Sequence, residues 1–360
     1  MAGSGNQSFF LTDNESELQT SRLFYQVLKG GTHHYSFLYS NIIDTTFADG
    51  CESQKNLICD SWSIEKAAVA VCRDCDCANM PAIDSFTALT FGGRDRKEVM
   101  PGEFFSSDPV ELSPNDGEYL CIELSFRGKM LPNHPETLIP SFLLERGQWV
   151  PSVNTPFPGM FGCDRKVSLR VAFLGDSITQ GIGTQKNSYT HWNACVAKKL
   201  GTDYAYWNLG LGYARAADAS SNGAWLFKAK QADVAVVCLG VNDILDSLRH
   251  YTAEQICGSL FTIVQKLRAA GVPVMMQTVP PFDYADDKIG IWKSVNQYIK
   301  STLAQDCDRV FDTVPALSTD SGDCPMAKYG GHPNAEGCAK WADALYPALK
   351  SFADKYARKK

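Results

Sequence analysis

The chain has 360 residues, of which 44% are hydrophobic and 21% charged, and its formal net charge is −6 at pH 7. This length corresponds to about two domains, and the composition is that of an ordinary globular protein. The acidic balance and the lack of a basic stripe argue against a nucleic-acid partner. No apolar run approaches the ~20 residues that a membrane span requires.

The first residues lack the basic start and apolar core of a secretory signal, so we expect a cytoplasmic protein. The 13 cysteines are an odd number scattered along the chain. Cys238 lies inside the apolar run "VAVVCLG", which is typical of a buried free thiol. The densest group, "CRDCDC" at 72–77, could hold zinc together with Cys51 or Cys59, but no second C-x-x-C exists. We therefore favour free thiols and expect no metal and no other cofactor.

Residues 1–150 consist of short strand-like runs that turn residues separate. The clearest run is "EYLCIELSF", whose alternation places four apolar residues on one face: Leu120, Ile122, Leu124 and Phe126. We expect an all-β sandwich or jelly roll here. The next stretch, 151–168, carries three prolines and is predicted to be an ordered linker.

From residue 169 to residue 360, strand-like and helix-like patterns alternate. The predicted strands are 169–175, 203–210, 232–240, 272–279 and 308–313, and the predicted helices are 188–201, 252–271, 287–306 and 334–359. Ser188 and Thr252 are the expected N-caps of the first two helices. Such alternation predicts a parallel sheet with helices on both faces, which is a three-layer α/β/α domain.

Four residues follow the carboxyl ends of predicted strands, where open parallel sheets bind their ligands. They are Ser177, Gly212, Asn242 and His332. Each has a purely structural alternative. The serine could be no more than a helix N-cap, and the asparagine could be no more than a turn residue. Likewise, the glycine could be a plain turn residue and the histidine could be structural. The stretch "GDSITQG" lacks the lysine of a P-loop and the glycine spacing of a dinucleotide loop.

The motifs "GDSIT", "NLGLG", "GVND" and "HPN", in this order, resemble the four motif blocks of the GDSL, or SGNH, hydrolase superfamily. The resemblance covers about half of the chain and implies a flavodoxin-like α/β/α fold. It also implies that Ser177 is the nucleophile and His332 its base. The oxyanion hole would consist of the Ser177 N–H, the Gly212 N–H and the Asn242 side chain.

Two positions depart from the family pattern. Tyr329 stands where the family often has an acid, three residues before the histidine. Either Asp323 or Asp320 serves instead, or a backbone carbonyl orients the ring in a Ser–His dyad, which is the arrangement that we favour. Strict counting along the second block places Tyr213, rather than Gly212, at the usual glycine, so the identity of the second N–H donor stays open.

A β domain followed by such a hydrolase domain resembles the layout of bacterial carbohydrate esterases, including acetyl esterases of carbohydrate esterase family two. This implies a serine esterase that removes O-acetyl groups from sugars or oligosaccharides through an acyl-enzyme. Three aromatic residues could stack on a sugar or belong to the core: Trp192, Tyr213 and Trp225. A lipase or thioesterase of the same superfamily is the first alternative, and an inactive carbohydrate-binding protein, which Tyr329 favours, is the second. The sugar, its hydroxyl position and the oligomeric state stay open.

Overall fold

A computed structural model describes residues 5–47, 53–75, 85–319 and 326–358. The chain divides into two compact units, Ala2–Lys166 and Val167–Lys360.

The N-terminal unit is built from antiparallel strands. They are β1 (Ser8–Leu11), β2 (Gln19–Gln26), β3 (His33–Ser40), β4 (Ile42–Phe47), β5 (Ser53–Ile58), β6 (Trp62–Cys72), β7 (Thr87–Ala88), β8 (Lys97–Val99), β9 (Phe104–Ser106), β10 (Val110–Leu112), β11 (Tyr119–Gly128), β12 (Met130–Asn133), β13 (Ser141–Glu145), β14 (Gln148–Pro151) and β15 (Met160–Cys163). The largest sheet has the order β14-β13-β2-β11-β6-β7, with β8 also paired to β6. A second sheet has the order β10-β3-β15, with β9 also paired to β3.

One hydrophobic core joins the two larger sheets of this unit. The alternating residues of β11 point into it and are fully buried, as their pattern predicts. Phe37 of β3 and Phe105 of β9 enter the same core from the second sheet. The unit is therefore mostly β, with two sheets that share a core, and the jelly-roll topology stays a prediction.

Most of the predicted linker, residues 151–166, belongs to the N-terminal unit and carries a strand, while residues 167 and 168 belong to the C-terminal unit. Within it, β15 pairs with β3, and Phe161 packs against the β core. The Tyr25 hydroxyl donates a hydrogen bond to the carbonyl of Pro158 at 2.6 Å. Because this stretch is rich in proline before β15, the short strand is difficult to recognise from the sequence alone.

The C-terminal unit alternates strands and helices, as predicted. Its elements are β16 (Leu169–Gly175), α1 (Ser177–Gln180), α2 (Trp192–Leu200), β17 (Tyr204–Gly210), α3 (Ala216–Ala219), α4 (Ala224–Ala229), β18 (Val234–Cys238), α5 (Val241–Leu245), α6 (Ala253–Ala269), β19 (Val274–Gln277), α7 (Asp286–Ser301), β20 (Arg309–Phe311), α8 (Val314–Leu317) and α9 (Ala335–Tyr356). The five strands form a parallel sheet in the order β17-β16-β18-β19-β20. In chain order this is 2-1-3-4-5, the doubly wound order of flavodoxin-like folds.

The helix starts test the capping predictions. Thr252 caps α6 in a capping box with Gln255, as expected. Ser188 does not cap α2, because Tyr189 has a φ of +52° that no helix tolerates, and α2 begins only at Trp192. The Ser188 hydroxyl instead donates to the carbonyl of Gln185.

The cysteines of the described ranges form no disulfide. Cys72 is buried and Cys75 half-buried, while Cys51 and Cys77 lie outside the described residues. In these ranges no group of His, Cys, Asp or Glu has the geometry of a metal site. Over the same residues, each helix is too short or too polar to cross a membrane.

Candidate active site

The four residues predicted to meet at one edge of the sheet follow the carboxyl ends of parallel strands. Ser177 opens α1 directly after β16, and Gly212 lies two residues beyond β17. Asn242 lies in α5, just past β18, and His332 lies between α8 and α9, in the part of the chain that follows β20. Because the strands are parallel, these ends lie at the same edge of the sheet.

Ser177 and His332 are in direct contact. The Ser177 Oγ atom lies 2.8 Å from Nε2 of His332, which is hydrogen-bonding distance, although 155 residues separate the two along the chain. Both side chains are half-buried. A neutral imidazole can accept the hydroxyl proton at Nε2, which is the arrangement that a serine nucleophile and its base require.

The short helix α1 holds the Ser177 hydroxyl toward the histidine. Asp176, not Ser177, is the N-cap, because its carboxylate accepts the N–H of Ile178 at 3.0 Å. The capping function is thus filled, which leaves the serine hydroxyl for His332. Gly210 allows β17 to approach α1, because a Cβ at that position would lie 2.0 Å from the backbone nitrogen of Gln180.

The start of α9 and one aromatic ring fix His332. Asn334 caps α9 by accepting the N–H of Gly337 at 3.0 Å. The Phe282 ring packs edge-on against the imidazole, with 5.2 Å between centroids. Phe282 follows β19, so the rule of strand carboxyl ends could have found it, but the sequence analysis did not use the end of that strand.

The third member of a triad is absent from the described part of the chain. No carboxylate there forms a hydrogen bond or an ion pair with the His332 ring. The side chain of Tyr329 packs beside Gly337 of α9 and makes no hydrogen bond to the histidine. Asp320 and Asp323, the two acids named from the sequence, lie outside the described residues.

Burial of His332 predicts the pH dependence of the reaction. Desolvation lowers the pKa of the ring from its ordinary value of 6.5, because a buried cation is disfavoured. A general base must be neutral, so kcat/KM is expected to rise with pH through a midpoint below 6.5. An NMR titration of the His332 ring assigns that midpoint, and a ring pKa at or above the ordinary value contradicts it.

The predicted oxyanion donors are available for a ligand. Within the described part of the chain, the N–H groups of Ser177 and Gly212 donate no hydrogen bond to the protein. The Asn242 side-chain amide donates one of its two protons to the carbonyl of Ala214 at 2.9 Å. Its second proton remains for a further acceptor, so three donors belong to this edge of the sheet.

The turn that carries Gly212 explains the counting ambiguity. The N–H of Ala214 donates to the carbonyl of Leu211 at 3.3 Å, which closes a four-residue turn. Its third residue, Tyr213, has a φ of +61°. A type II turn needs a positive φ at this position and normally has glycine there. Tyr213 therefore occupies the glycine-like position, while Gly212 precedes it with a buried backbone.

Of the two alternatives for the three aromatic residues, Trp192 and Trp225 follow the core alternative and are not substrate contacts. Trp192 is fully buried and stacks on Trp341, with 4.7 Å between ring centroids. Trp225 is buried and donates its indole N–H to the carbonyl of Leu209 at 2.8 Å. Tyr213 differs from both, because its side chain is 46% exposed.

Three solved structures are each similar to about half of this chain. A putative acylhydrolase from Bacteroides fragilis has 18% identity and a TM-score of 0.40, over 51% of this chain and 88% of the other. A carbohydrate esterase family 3 protein from Talaromyces cellulolyticus has 20% identity and a TM-score of 0.39, over 52% of this chain and 99% of the other. An acetyl esterase mutant solved with an acetate ion has 20% identity and a TM-score of 0.41, over 52% of this chain and 99% of the other.

No curated protein sequence matches the chain. Residues 173–340 do match the model of the GDSL-like Lipase/Acylhydrolase family, the family that the four motif blocks resemble.

Proposed function

We propose that this protein is a serine esterase in which Ser177 attacks the ester carbonyl and His332 accepts its proton. The observation that carries the proposal is the 2.8 Å contact between Ser177 Oγ and His332 Nε2. The contact also counts against an inactive sugar-binding protein, because binding alone needs no such pair. The matched family is one of acylhydrolases, which supports ester cleavage as the reaction class.

The reaction has two halves. In the first, the Ser177 oxygen bonds to the carbonyl carbon while its proton moves to Nε2 of His332. The N–H groups of Ser177 and Gly212 and the Asn242 amide stabilise the oxyanion. The C–O bond to the alcohol then breaks, and the histidine returns the proton to the leaving oxygen. In the second half, water attacks the acyl-enzyme with the same base, which releases the acid and restores the serine.

For the substrate, we propose an O-acetyl group on a sugar or oligosaccharide. Tyr213 supports this choice, because an exposed aromatic ring directly follows the proposed oxyanion donor Gly212. Aromatic faces provide apolar contact area for ring-shaped ligands while a hydroxyl stays solvated.

A lipase or thioesterase is the second candidate, and a specific observation favours it. Large apolar side chains are exposed in the segments that carry Asn242 and His332: Leu245 is 38%, Leu248 60% and Met326 54% exposed. Such side chains could contact a long acyl chain. The acetyl and the long-chain proposals predict opposite trends with acyl length.

Two assays decide between these candidates. Mass spectrometry of acetylated oligosaccharides before and after incubation should show the loss of acetyl groups. Nitrophenyl esters of increasing chain length should show kcat/KM falling beyond acetate. A rise with chain length contradicts the acetyl proposal and supports the lipase or thioesterase. The Ser177→Ala variant is the control for contaminating esterases in both assays.

Tyr213 allows a test in which stability and substrate binding move in opposite directions. A left-handed non-glycine residue costs about 1–2 kcal/mol, so Tyr213→Gly should fold at least as stably as the parent. If the ring contacts the sugar, KM for an acetylated oligosaccharide should rise roughly 2- to 10-fold, the equivalent of one aromatic contact. The values of kcat and KM for ethyl acetate should change little.

The matched control is Tyr213→Phe, which keeps the ring and should keep the sugar KM near the parent value. Thermal melting measures the stability of both variants. A Tyr213→Gly protein that melts earlier while its KM is unchanged contradicts a substrate contact, because the ring would then be structural.

A further inference from the structure

The loop between β17 and α3 is attached to α5 at several points. Gly212 lies in this loop, which ends where α3 begins at Ala216. The Asp243 carboxylate of α5 accepts the N–H of Ala216 at 2.7 Å and the N–H of Ala217 at 3.0 Å. Asn242, the preceding residue of α5, donates to the carbonyl of Ala214.

A buried ion pair adds a further attachment. Arg215 is 5% exposed and donates to Asp246, which follows α5, with 2.6 Å between the paired atoms. Its guanidinium also pairs with Asp218 of α3 at 2.8 Å. The end of the loop that carries Gly212 and the first turn of α3 are therefore attached to α5 and to Asp246, which follows α5.

Asp243 is a buried carboxyl group, and burial disfavours its charged form. Its side chain is 1% exposed, and burial raises the pKa of the carboxyl from 3.8 to about 6. Asp218, Arg215 and the buried Asp176 act on its charge, in addition to the two N–H donors. A buried carboxylate is rarely maintained without a partner or a function, and both oxygens of this one accept backbone N–H groups of the first turn of α3, directly after the loop.

From this geometry we propose that Asp243 is a positioning residue of the oxyanion hole, which fixes the loop so that the Gly212 N–H is aimed at the reacting oxygen. It touches neither substrate nor reacting atoms and acts through the backbone. The inference rests on the proposed function for its kinetic consequence, whereas the attachment itself can be tested without any substrate.

The first test replaces one acceptor oxygen by a donor. In Asp243→Asn, an NH₂ group faces one of the two N–H donors, so one hydrogen bond is lost. Since misplacing a catalytic group by about 1 Å can cost ~10²-fold, we expect kcat to fall roughly 10- to 100-fold with KM within about two-fold. The Ki of phenylboronic acid, which forms a tetrahedral anion on the serine, should rise with the loss of kcat, while inhibition by the alcohol product stays constant.

A second variant removes the same contact from the other side. Ala216 is the first residue of α3, where proline is tolerated, and the extended backbone of Arg215 suits a following proline. Ala216→Pro deletes the N–H that Asp243 accepts while it keeps the carboxylate. It should reproduce the fall in kcat, so the proposal stays testable if Asp243→Asn fails to fold.

The matched control is Asp233→Asn. Asp233 also accepts a backbone N–H, that of Arg170 at 2.8 Å, but it precedes β18 and so lies at the amino ends of the strands. This variant should lose stability without the selective fall in kcat. An Asp243→Asn enzyme whose kcat equals that of the Asp233→Asn control overturns the inference.

Hydrogen exchange makes the result independent of the esterase assay. The amides of Ala216 and Ala217 should be protected in the parent and exchange faster in Asp243→Asn. Unchanged exchange overturns the inference even if the protein is an active esterase. If these amides exchange faster in Asp243→Asn while the parent protein cleaves no ester, the attachment is supported and only the proposed function is contradicted.

Discussion

Replacing Ser177 by alanine is expected to lower kcat by about 10⁴- to 10⁶-fold, because all catalysis that passes through an acyl-enzyme is lost. The fold should survive. The hydroxyl makes one hydrogen bond, to His332, at a half-buried position, and such a bond contributes only about 0.5–1.5 kcal/mol to stability. Alanine also suits the first turn of a helix.

The measurement combines steady-state kinetics with covalent labelling. A fluorophosphonate probe should label the parent protein, and peptide mapping should find the adduct on Ser177. Ser294→Ala is the matched control, because this exposed serine of α7 also makes one hydrogen bond, to the carbonyl of Gly290. It should keep full activity and labelling. If Ser177→Ala retains activity, or if the probe modifies another residue, the nucleophile has been misassigned.

The fold of the C-terminal unit could be predicted because its strands are short and mostly apolar runs. All five residues of β18 are buried, as a strand covered on both faces requires. Helices α1 and α3 have four residues each, too few for an apolar period to be visible. The strand β15 was missed for a similar reason, since it has four residues and follows a stretch rich in proline.

The sequence predicts those parts of the site that follow from the order of the strands along the chain. Ser177 and Asn242 follow their strands directly, so the parallel sheet alone brings them to one edge. The contacts of Asp243 and the packing of Phe282 depend on where side chains point, and no local pattern encodes that. The same limit left the role of Trp192 open, because the aromatic content of a segment does not reveal which rings face the core.

Replacing His332 by alanine is expected to lower kcat about as far as the loss of the serine does, roughly 10⁴- to 10⁶-fold, because the two residues act as one unit. The double variant with Ser177→Ala should then be no worse than either single variant. If the two losses multiply, the residues do not act as a unit, and the 2.8 Å contact between them is not a catalytic one.

The orienting group of His332 separates a dyad from a triad. Tyr329 carries no carboxylate, and it makes no hydrogen bond to the histidine. In a dyad, Asp323→Asn and Asp320→Asn should each lower kcat less than about tenfold, whereas loss of the acid of a true triad can cost ~10⁴-fold.

The comparison uses kcat at a pH well above the His332 pKa, so that a changed pKa does not mimic a lost orientation. A loss near the larger value in one variant, with an unchanged circular dichroism spectrum, overturns the dyad and identifies that aspartate as the third residue. Small losses in both, beside an inactive His332→Ala, leave the imidazole oriented by its own loop and by the ring of Phe282.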